Sequence, residues 1–182
     1  MNKNLGLRHL FLIFSFLVSS QPSFASSEPA EIRVGVIKHD VKSGLKHTYE
    51  PGYDVNLQYL WASFGGENER MILSPRPHLG CSVNTRGGTN QYYAGLTWHV
   101  PIKNLFVEVS LGGEFHDGHL KNRSSKKKAL GSRLLFRESI AFGVNLSEQA
   151  TISAILDHAS NASIAPPNPG LTGFGIQFGY KF

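Results

Sequence analysis

Apolar and polar residues alternate along most of this chain with a period of two, over eight separate stretches. Successive side chains of a β-strand point to opposite faces, so this period predicts strands. In the last stretch, alternate positions are small or polar, while the other face carries Phe174, Ile176, Phe178, Tyr180 and Phe182. The predicted strands are 31–36, 53–64, 77–84, 92–100, 105–115, 131–143, 151–160 and 171–182.

An apolar, aromatic-ended face opposite a small and polar one is typical of a transmembrane β-strand, with lipid outside and a polar lumen inside. The connections also alternate in length, since 38–52, 85–90, 117–131 and 161–170 are mostly longer than those near 65–72, 101–104 and 144–150. Long outer loops and short periplasmic turns have this asymmetry. The sequence therefore predicts an all-β fold, an eight-stranded antiparallel transmembrane β-barrel of the bacterial outer membrane. A soluble eight-stranded barrel of the lipocalin kind is the alternative.

The two ends of the chain carry export signals. Residues 1–25 combine a basic start, an apolar core too short to span a bilayer as a helix, and the small-x-small triplet Ser23-Phe24-Ala25. We therefore expect a cleaved signal peptide over 1–25 and a barrel domain over 26–182. The terminal Phe182 resembles the carboxy-terminal aromatic signal of outer-membrane proteins, which predicts contact with the barrel-assembly machinery.

The cysteine and histidine content limits which disulfide and metal sites the chain can form. The single cysteine, Cys81, cannot form an internal disulfide, and no C-x-x-C metal pattern occurs. Glu114, His116 and His119 are the one group that suggests a metal site, but they span a predicted strand end and a loop, which favours a solvated rim. We expect no cofactor, no metal and no nucleic-acid partner.

The apolar face of the strand 151–160 ends in two polar residues, His158 and Ser160. Polar side chains that face lipid are costly and often functional. A serine becomes a nucleophile when a base such as histidine lies within hydrogen-bond reach. Side chains two residues apart on one strand face are neighbours, so the spacing permits this chemistry.

Two further residues are candidates for supporting roles. Glu138 lies on the apolar face of the preceding strand, and a turn centred near Ser147 places it opposite Leu156, one diagonal step from His158. Asn161 directly follows the serine and is a candidate oxyanion donor, as are nearby backbone N–H groups.

These residues resemble a known motif. The run Asp157-His158-Ala159-Ser160-Asn161-Ala162, followed by Asn168-Pro169-Gly170, resembles the H-x-S-N motif of the lipid A 3-O-deacylase family (PagL-type, acyloxyacyl hydrolase). Phe136-Arg137-Glu138 resembles the F-x-D/E position of that family. The likeness is specific only from about 130 to 182, and elsewhere covers the chain as eight-stranded architecture.

The resemblance implies an outer-membrane serine hydrolase that removes an ester-linked (3-O) acyl chain from lipid A of lipopolysaccharide. It implies that Ser160 is the nucleophile, His158 the base, Asn161 an oxyanion donor and Glu138 a supporting acid. The family's orienting glutamate follows the Asn-Pro-Gly turn, where this chain has the uncharged Thr172. Either Glu138 takes over the orienting role, or the triad becomes a dyad, or activity is lost.

The loop after the fifth predicted strand is basic and includes Lys126, Lys127 and Lys128. It is either a solvated outer loop or a contact for lipopolysaccharide phosphates, which attract cations near an anionic surface. A non-catalytic structural or adhesive barrel and an esterase of other lipids are the competing functions. The sequence leaves open whether the active species is a monomer or a homodimer that shields the site.

Overall fold

A computed structural model describes residues 28–41, 50–64, 74–121 and 126–182, and the predicted signal peptide lies outside these residues. Eight antiparallel strands pair in chain order and close into a barrel through β1 and β8. They are β1 (Glu31–Lys38), β2 (Tyr53–Leu60), β3 (Arg76–Asn84), β4 (Gln91–Ile102), β5 (Leu105–His116), β6 (Leu134–Asn145), β7 (Ala150–Ser160) and β8 (Leu171–Lys181). No helix among the described residues is long and apolar enough to cross a membrane.

The barrel carries its apolar residues outside, as the alternation predicts. Val36, Phe136 and Ile176 expose more than half of their surface on the outer wall. The residues between them point inward and are buried. The fold prediction of an eight-stranded antiparallel barrel is therefore confirmed.

Charged side chains fill the lumen. Near one end, Arg33 pairs with Glu31 at 2.8 Å and with Glu108 at 2.5 Å. Further along, Arg137 stacks on the ring of Tyr93 at 3.8 Å from its centroid. Because buried charges are tolerated only when they are paired and hydrogen-bonded, these contacts explain how a polar interior packs.

The pairing of β6 with β7 corrects the predicted register. Glu138 lies directly opposite His158, and Phe136 opposite Ser160. The expected partner of Glu138, Leu156, instead pairs with Ile140. The prediction was thus wrong by two residues, although it placed every side chain on the correct face.

The cause is the turn between these strands. Its last paired residues are Asn145 and Thr151, and Ser147 Oγ accepts the N–H groups of Gln149 and Ala150. The centre of the turn therefore falls one residue later than Ser147. A shift of one residue in the turn centre moves the register by two and preserves the faces.

The connections that follow β1, β3, β5 and β7 lie at one end of the barrel, hereafter the outer end. Their described residues are outer loop 1 (39–41 and 50–52), outer loop 2 (85–90), outer loop 3 (117–121 and 126–133) and outer loop 4 (161–170). The predicted asymmetry in length is not uniform, because the connection 61–75 at the other end has more residues than outer loops 2 and 4. Beneath outer loops 3 and 4, a small apolar cluster closes the wall behind the end of β7, formed by Leu130, Leu135, Ala159 and Leu171.

Candidate active site

Three candidate side chains form a row across three adjacent strands at the outer end, and a fourth, Ser160, lies two residues from the centre of the row. His158 and Ser160 lie on the outward face of β7, both partly exposed. Thr172 on β8 and Glu138 on β6 lie directly opposite His158, one on each side. The alternation of each strand and the register together produce this row.

His158 is held by Thr172. The His158 Nδ1 atom lies 2.8 Å from Thr172 Oγ1. When Nδ1 carries the proton, it donates to this hydroxyl oxygen and leaves Nε2 unprotonated. A neutral imidazole in this tautomer is the form that accepts a proton from a serine.

Ser160 lies two residues from His158, a spacing of about 7 Å along an extended strand. Within the described part of the chain, neither Ser160 Oγ nor His158 Nε2 has a hydrogen-bond partner. Both atoms are therefore available to each other and to a substrate. Catalytic hydrogen bonds of this kind often tighten only in the substrate complex.

Glu138 stands beside His158 without a hydrogen bond to any described residue. Its side chain is exposed on the outward face. Side chains directly opposite on paired strands have Cβ atoms about 5 Å apart, so its charge is close to the imidazole. The Nδ1 position, however, is occupied by Thr172 and not by this carboxylate.

Asn161 has a different environment from the one that the resemblance implies. Its side chain is buried, and Nδ2 donates to the carbonyl oxygens of Leu130 at 2.8 Å and Ala165 at 2.6 Å. Its backbone N–H donates to Asn168 Oδ1 at 3.0 Å. Both amide hydrogens are thus engaged inside outer loops 3 and 4, so in this conformation neither is available to an oxyanion.

A strained turn follows the serine directly. The Ile164 N–H donates to the Asn161 carbonyl at 3.0 Å, while Ala162 and Ser163 have φ of 51° and 62°. This is a type I′ arrangement, which glycine and asparagine adopt more readily than alanine or serine. In the described structure the N–H groups of Ala162 and Ser163 have no protein acceptor, so they are candidate oxyanion donors.

The three loop lysines differ from one another. Lys126 is exposed, and Lys127 Nζ pairs with Asp117 Oδ1 at 2.7 Å. Lys128 is only 4% exposed, and its Nζ lies 2.6 Å from Asp40 Oδ1. The prediction that Lys128 contacts a phosphate is therefore wrong, because outer loop 3 folds this ammonium beneath the surface.

Glu114, His116 and His119, the group that suggested a metal site, do not all lie at a solvated rim. Glu114 and His116 point into the lumen and are buried, because β5 extends to His116 and its even-numbered residues face inward. His119 lies in outer loop 3. The prediction of a solvated rim was thus wrong for the first two residues. Across the described ranges, no cluster of three or more His, Cys, Asp or Glu is arranged to hold a metal ion.

The residues behind the site could not be predicted from the sequence. Gly170, with φ of 64°, packs on the ring of His158: a Cβ at this position would lie 2.7 Å from His158 Cε1. Asp40 and Glu50 of outer loop 1 bind Lys128, whose ammonium donates to the Gly170 carbonyl oxygen. The Asn168-Pro169-Gly170 run indicated a turn, but no sequence pattern indicated that the turn contacts the histidine.

Comparison with known proteins identifies the family. The model of the lipid A 3-O-deacylase (PagL) family matches residues 47–181. The lipid A deacylase PagL of Bordetella bronchiseptica is 29% identical over 142 residues, which are 70% of this chain and 75% of the relative.

Solved structures agree on the fold. The crystal structure of the outer membrane enzyme PagL superposes with a TM-score of 0.63 at 16% identity, covering 84% of this chain and 99% of that chain. The N-terminal β-barrel domain of Pseudomonas aeruginosa OprF gives a TM-score of 0.54 at 12% identity, covering 85% and 99%. Family and fold together assign the protein to the bacterial outer membrane. The chain belongs to the lipid A 3-O-deacylase (PagL) family.

Proposed function

We propose that this protein is an outer-membrane serine hydrolase that removes an ester-linked 3-O acyl chain from lipid A of lipopolysaccharide. The observation that carries the proposal is the row of Glu138, His158 and Thr172 on the lipid-facing wall, with Ser160 two residues from the histidine. A nucleophile in that position meets the ester of a membrane lipid and not a solute in the lumen. The family membership and the name of the Bordetella bronchiseptica relative agree with this substrate.

The reaction proceeds by acyl transfer. His158 Nε2 takes the hydroxyl proton of Ser160 as Oγ attacks the ester carbonyl, and a tetrahedral oxyanion forms. The imidazolium then gives this proton to the leaving sugar oxygen as the ester bond breaks. Water, activated by the same histidine, hydrolyses the acyl-serine and releases the fatty acid.

The neighbouring groups support that cycle. The Thr172 hydroxyl accepts the Nδ1–H of His158 and fixes the ring, while the carboxylate of Glu138 stabilises the imidazolium through space. The free N–H groups of Ala162 and Ser163 are suited to bind the oxyanion. Asn161 anchors the loop that presents them.

Substrate headgroup contacts are assigned to the surface of outer loop 3. Lys126 is exposed there and is suited to meet a lipid A phosphate. Such exposed cations near an anionic membrane surface each contribute about 1 kcal/mol of attraction. Lys128 has no part in this contact.

The test is mass spectrometry of lipid A from Gram-negative cells that express the protein. Loss of one hydroxyacyl chain with the parent, and not with Ser160→Ala, is the expected result. Ser147→Ala is the matched control, because this exposed serine lies on the turn at the opposite end of the barrel. Heat-modifiable migration on gels verifies that each variant is folded.

Unchanged lipid A from a folded parent would contradict lipid A deacylation and favour a non-catalytic barrel. Cleaved phospholipids beside intact lipid A would instead favour an esterase of other lipids. If the parent is active, Glu138→Gln separates the roles of the two flanking residues. A modest loss is expected, since Glu138 makes no hydrogen bond to the ring.

A further inference from the structure

The ammonium group of Lys128 lies behind the candidate site. Its side chain is 4% exposed, and Nζ lies 2.6 Å from Asp40 Oδ1 and 3.1 Å from the Gly170 carbonyl oxygen. A buried ammonium is costly unless it is paired and hydrogen-bonded. Here a carboxylate and a carbonyl fulfil that need, and both belong to other loops.

The residue that accepts from Lys128 also contacts the histidine. A Cβ on Gly170 would lie 2.7 Å from Cε1 and 3.2 Å from Nε2 of His158, so the bare backbone of Gly170 lies against the ring. Two residues later, Thr172 Oγ1 binds Nδ1 of the same ring. The segment 170–172 thus forms one wall of the His158 environment.

Outer loop 1 fixes the other end of this segment. The Val41 N–H donates to the Thr172 carbonyl at 2.7 Å, and Val41 directly follows Asp40. The segment is therefore held at Gly170 by the ammonium of Lys128 and at Thr172 by the backbone of outer loop 1. Asp40 connects the two contacts, because it pairs with the lysine.

The main chain of Lys128 is fixed as well. Its N–H donates to Glu50 Oε1 at 2.5 Å. The same carboxylate accepts the N–H of Thr89 at 2.6 Å and the Thr89 hydroxyl at 2.9 Å. One lysine thus connects outer loop 3 to loops 1 and 4, and Glu50 extends the network to loop 2.

We propose that Lys128 and Asp40 are a positioning pair that holds the segment 170–172 against His158, so that Nδ1 stays on Thr172 and Nε2 faces Ser160. The inference rests on the proposed hydrolase function and adds residues that never touch the substrate. Such supporting contacts determine rate, because a misplacement of about 1 Å can reduce it on the order of 100-fold.

The first test is steady-state kinetics of the full barrel in vesicles that contain lipid A. Lys128→Met keeps the length of the side chain and removes the charge. We expect kcat to fall about 10- to 100-fold, the scale of a misplaced base, with KM nearly unchanged. Lys128→Arg, which restores the cation, is expected to recover most of the rate.

The matched control is Lys181→Met. Lys181 is 9% exposed and pairs with Glu28 at 3.3 Å at the end of the barrel far from the site. Its loss removes a similarly buried ammonium, so it reproduces any general destabilisation without the positioning effect. Equal kcat for Lys128→Met and the parent, or a change in KM alone, would overturn the inference.

A second measurement does not depend on turnover. The Nδ1–H resonance of His158 in nuclear magnetic resonance spectra reports the hydrogen bond to Thr172. It is expected in the parent and in Lys181→Met, and is expected to broaden or disappear in Lys128→Met. A signal that persists in Lys128→Met overturns the positioning pair, whereas unchanged lipid A with the parent overturns the hydrolase function.

Discussion

His158 Nδ1 and Thr172 Oγ1 lie 2.8 Å apart, across directly paired positions of β7 and β8. A hydroxyl therefore occupies the position where the family resemblance implies a glutamate. A hydroxyl oxygen can accept the Nδ1–H and fix the ring, but it carries no charge to balance an imidazolium. In the proposed reaction, orientation and charge compensation, which one acid usually supplies together, are thus divided between Thr172 and Glu138.

Removing the hydroxyl tests the orienting contact. Thr172→Val has nearly the same shape and suits a partly lipid-facing position, so the barrel is expected to fold normally. The imidazole then loses its acceptor, and deacylation is expected to slow about 10- to 100-fold, less than the ~10⁴-fold known for a wrong tautomer in a charged triad. Initial rates on lipid A vesicles measure this, with Thr172→Ser as the control that keeps the hydroxyl. A Val variant as fast as the Ser variant would count against the contact.

Placing a negative charge at position 172 tests the charge compensation of the His158 imidazolium. Thr172→Glu places a carboxylate beside Nδ1, and we expect the rate to rise about tenfold or more, because the imidazolium gains a directly bonded counter-ion. The stability cost is small, since charged residues near the membrane interface cost about 0–1 kcal/mol. Lipid A deacylation rates of this variant are compared with those of the parent. No increase would mean that Glu138 already provides the compensation, and Thr172→Glu combined with Glu138→Gln would then match the parent.

A methyl group at position 170 is expected to displace the histidine. Gly170→Ala introduces a Cβ 2.7 Å from His158 Cε1 at a φ of 64°. Backbone strain in this region costs about 1–2 kcal/mol, and the contact should lower activity further. Gly87→Ala is the matched control, because φ there is 77° and its nearest contact is Lys126 Cδ at 3.8 Å. Both variants are expected to lose a similar amount of thermal stability, whereas deacylation is expected to be lost only in Gly170→Ala. Equal activities of the two variants would argue against the ring contact.

The stability of the outer end is expected to depend on pH through His39. Burial alone would lower the pKa of His39, but hydrogen bonds to Asp54 and Glu50 outweigh it and raise the pKa from 6.5 to about 9. The folded pKa exceeds the unfolded one, so this stabilisation is complete below about pH 6.5 and is lost as the pH rises through about 9. Thermal unfolding midpoints between pH 6 and 9.5 should therefore decline, and His39→Gln should flatten the decline. Parallel curves for the two proteins would exclude His39 as its source.

The alternation of side chains was enough to predict the barrel and the lipid-facing position of the catalytic candidates. It could not give the register of β6 and β7, because that depends on a turn whose centre differs from Ser147 by one residue. A register error of two residues leaves every side chain on its correct face, and for that reason Glu138 still lies beside His158. Which residues pair across two strands is therefore less predictable than which face of the sheet each residue occupies.

Loop residues were the least predictable. The run Lys126-Lys127-Lys128 has uniform composition, yet Lys126 is exposed, Lys127 pairs with Asp117 and Lys128 is buried against Asp40. Asn161 follows the serine in sequence, but its amide is used by carbonyls of two loops. Loop side chains follow no period, so their surroundings depend on contacts between distant segments that only the folded chain brings together.

The position of the row on the outer wall changes what substrate concentration means for this protein. In the proposed reaction a lipid reaches Ser160 by lateral diffusion in two dimensions, so the encounter rate follows the mole fraction of substrate in the leaflet and not the amount per volume of solution. Adding inert lipid at constant total substrate should thus lower the rate by surface dilution. The composition of the lipids that surround β6 to β8 would then determine how often the candidate site meets its substrate.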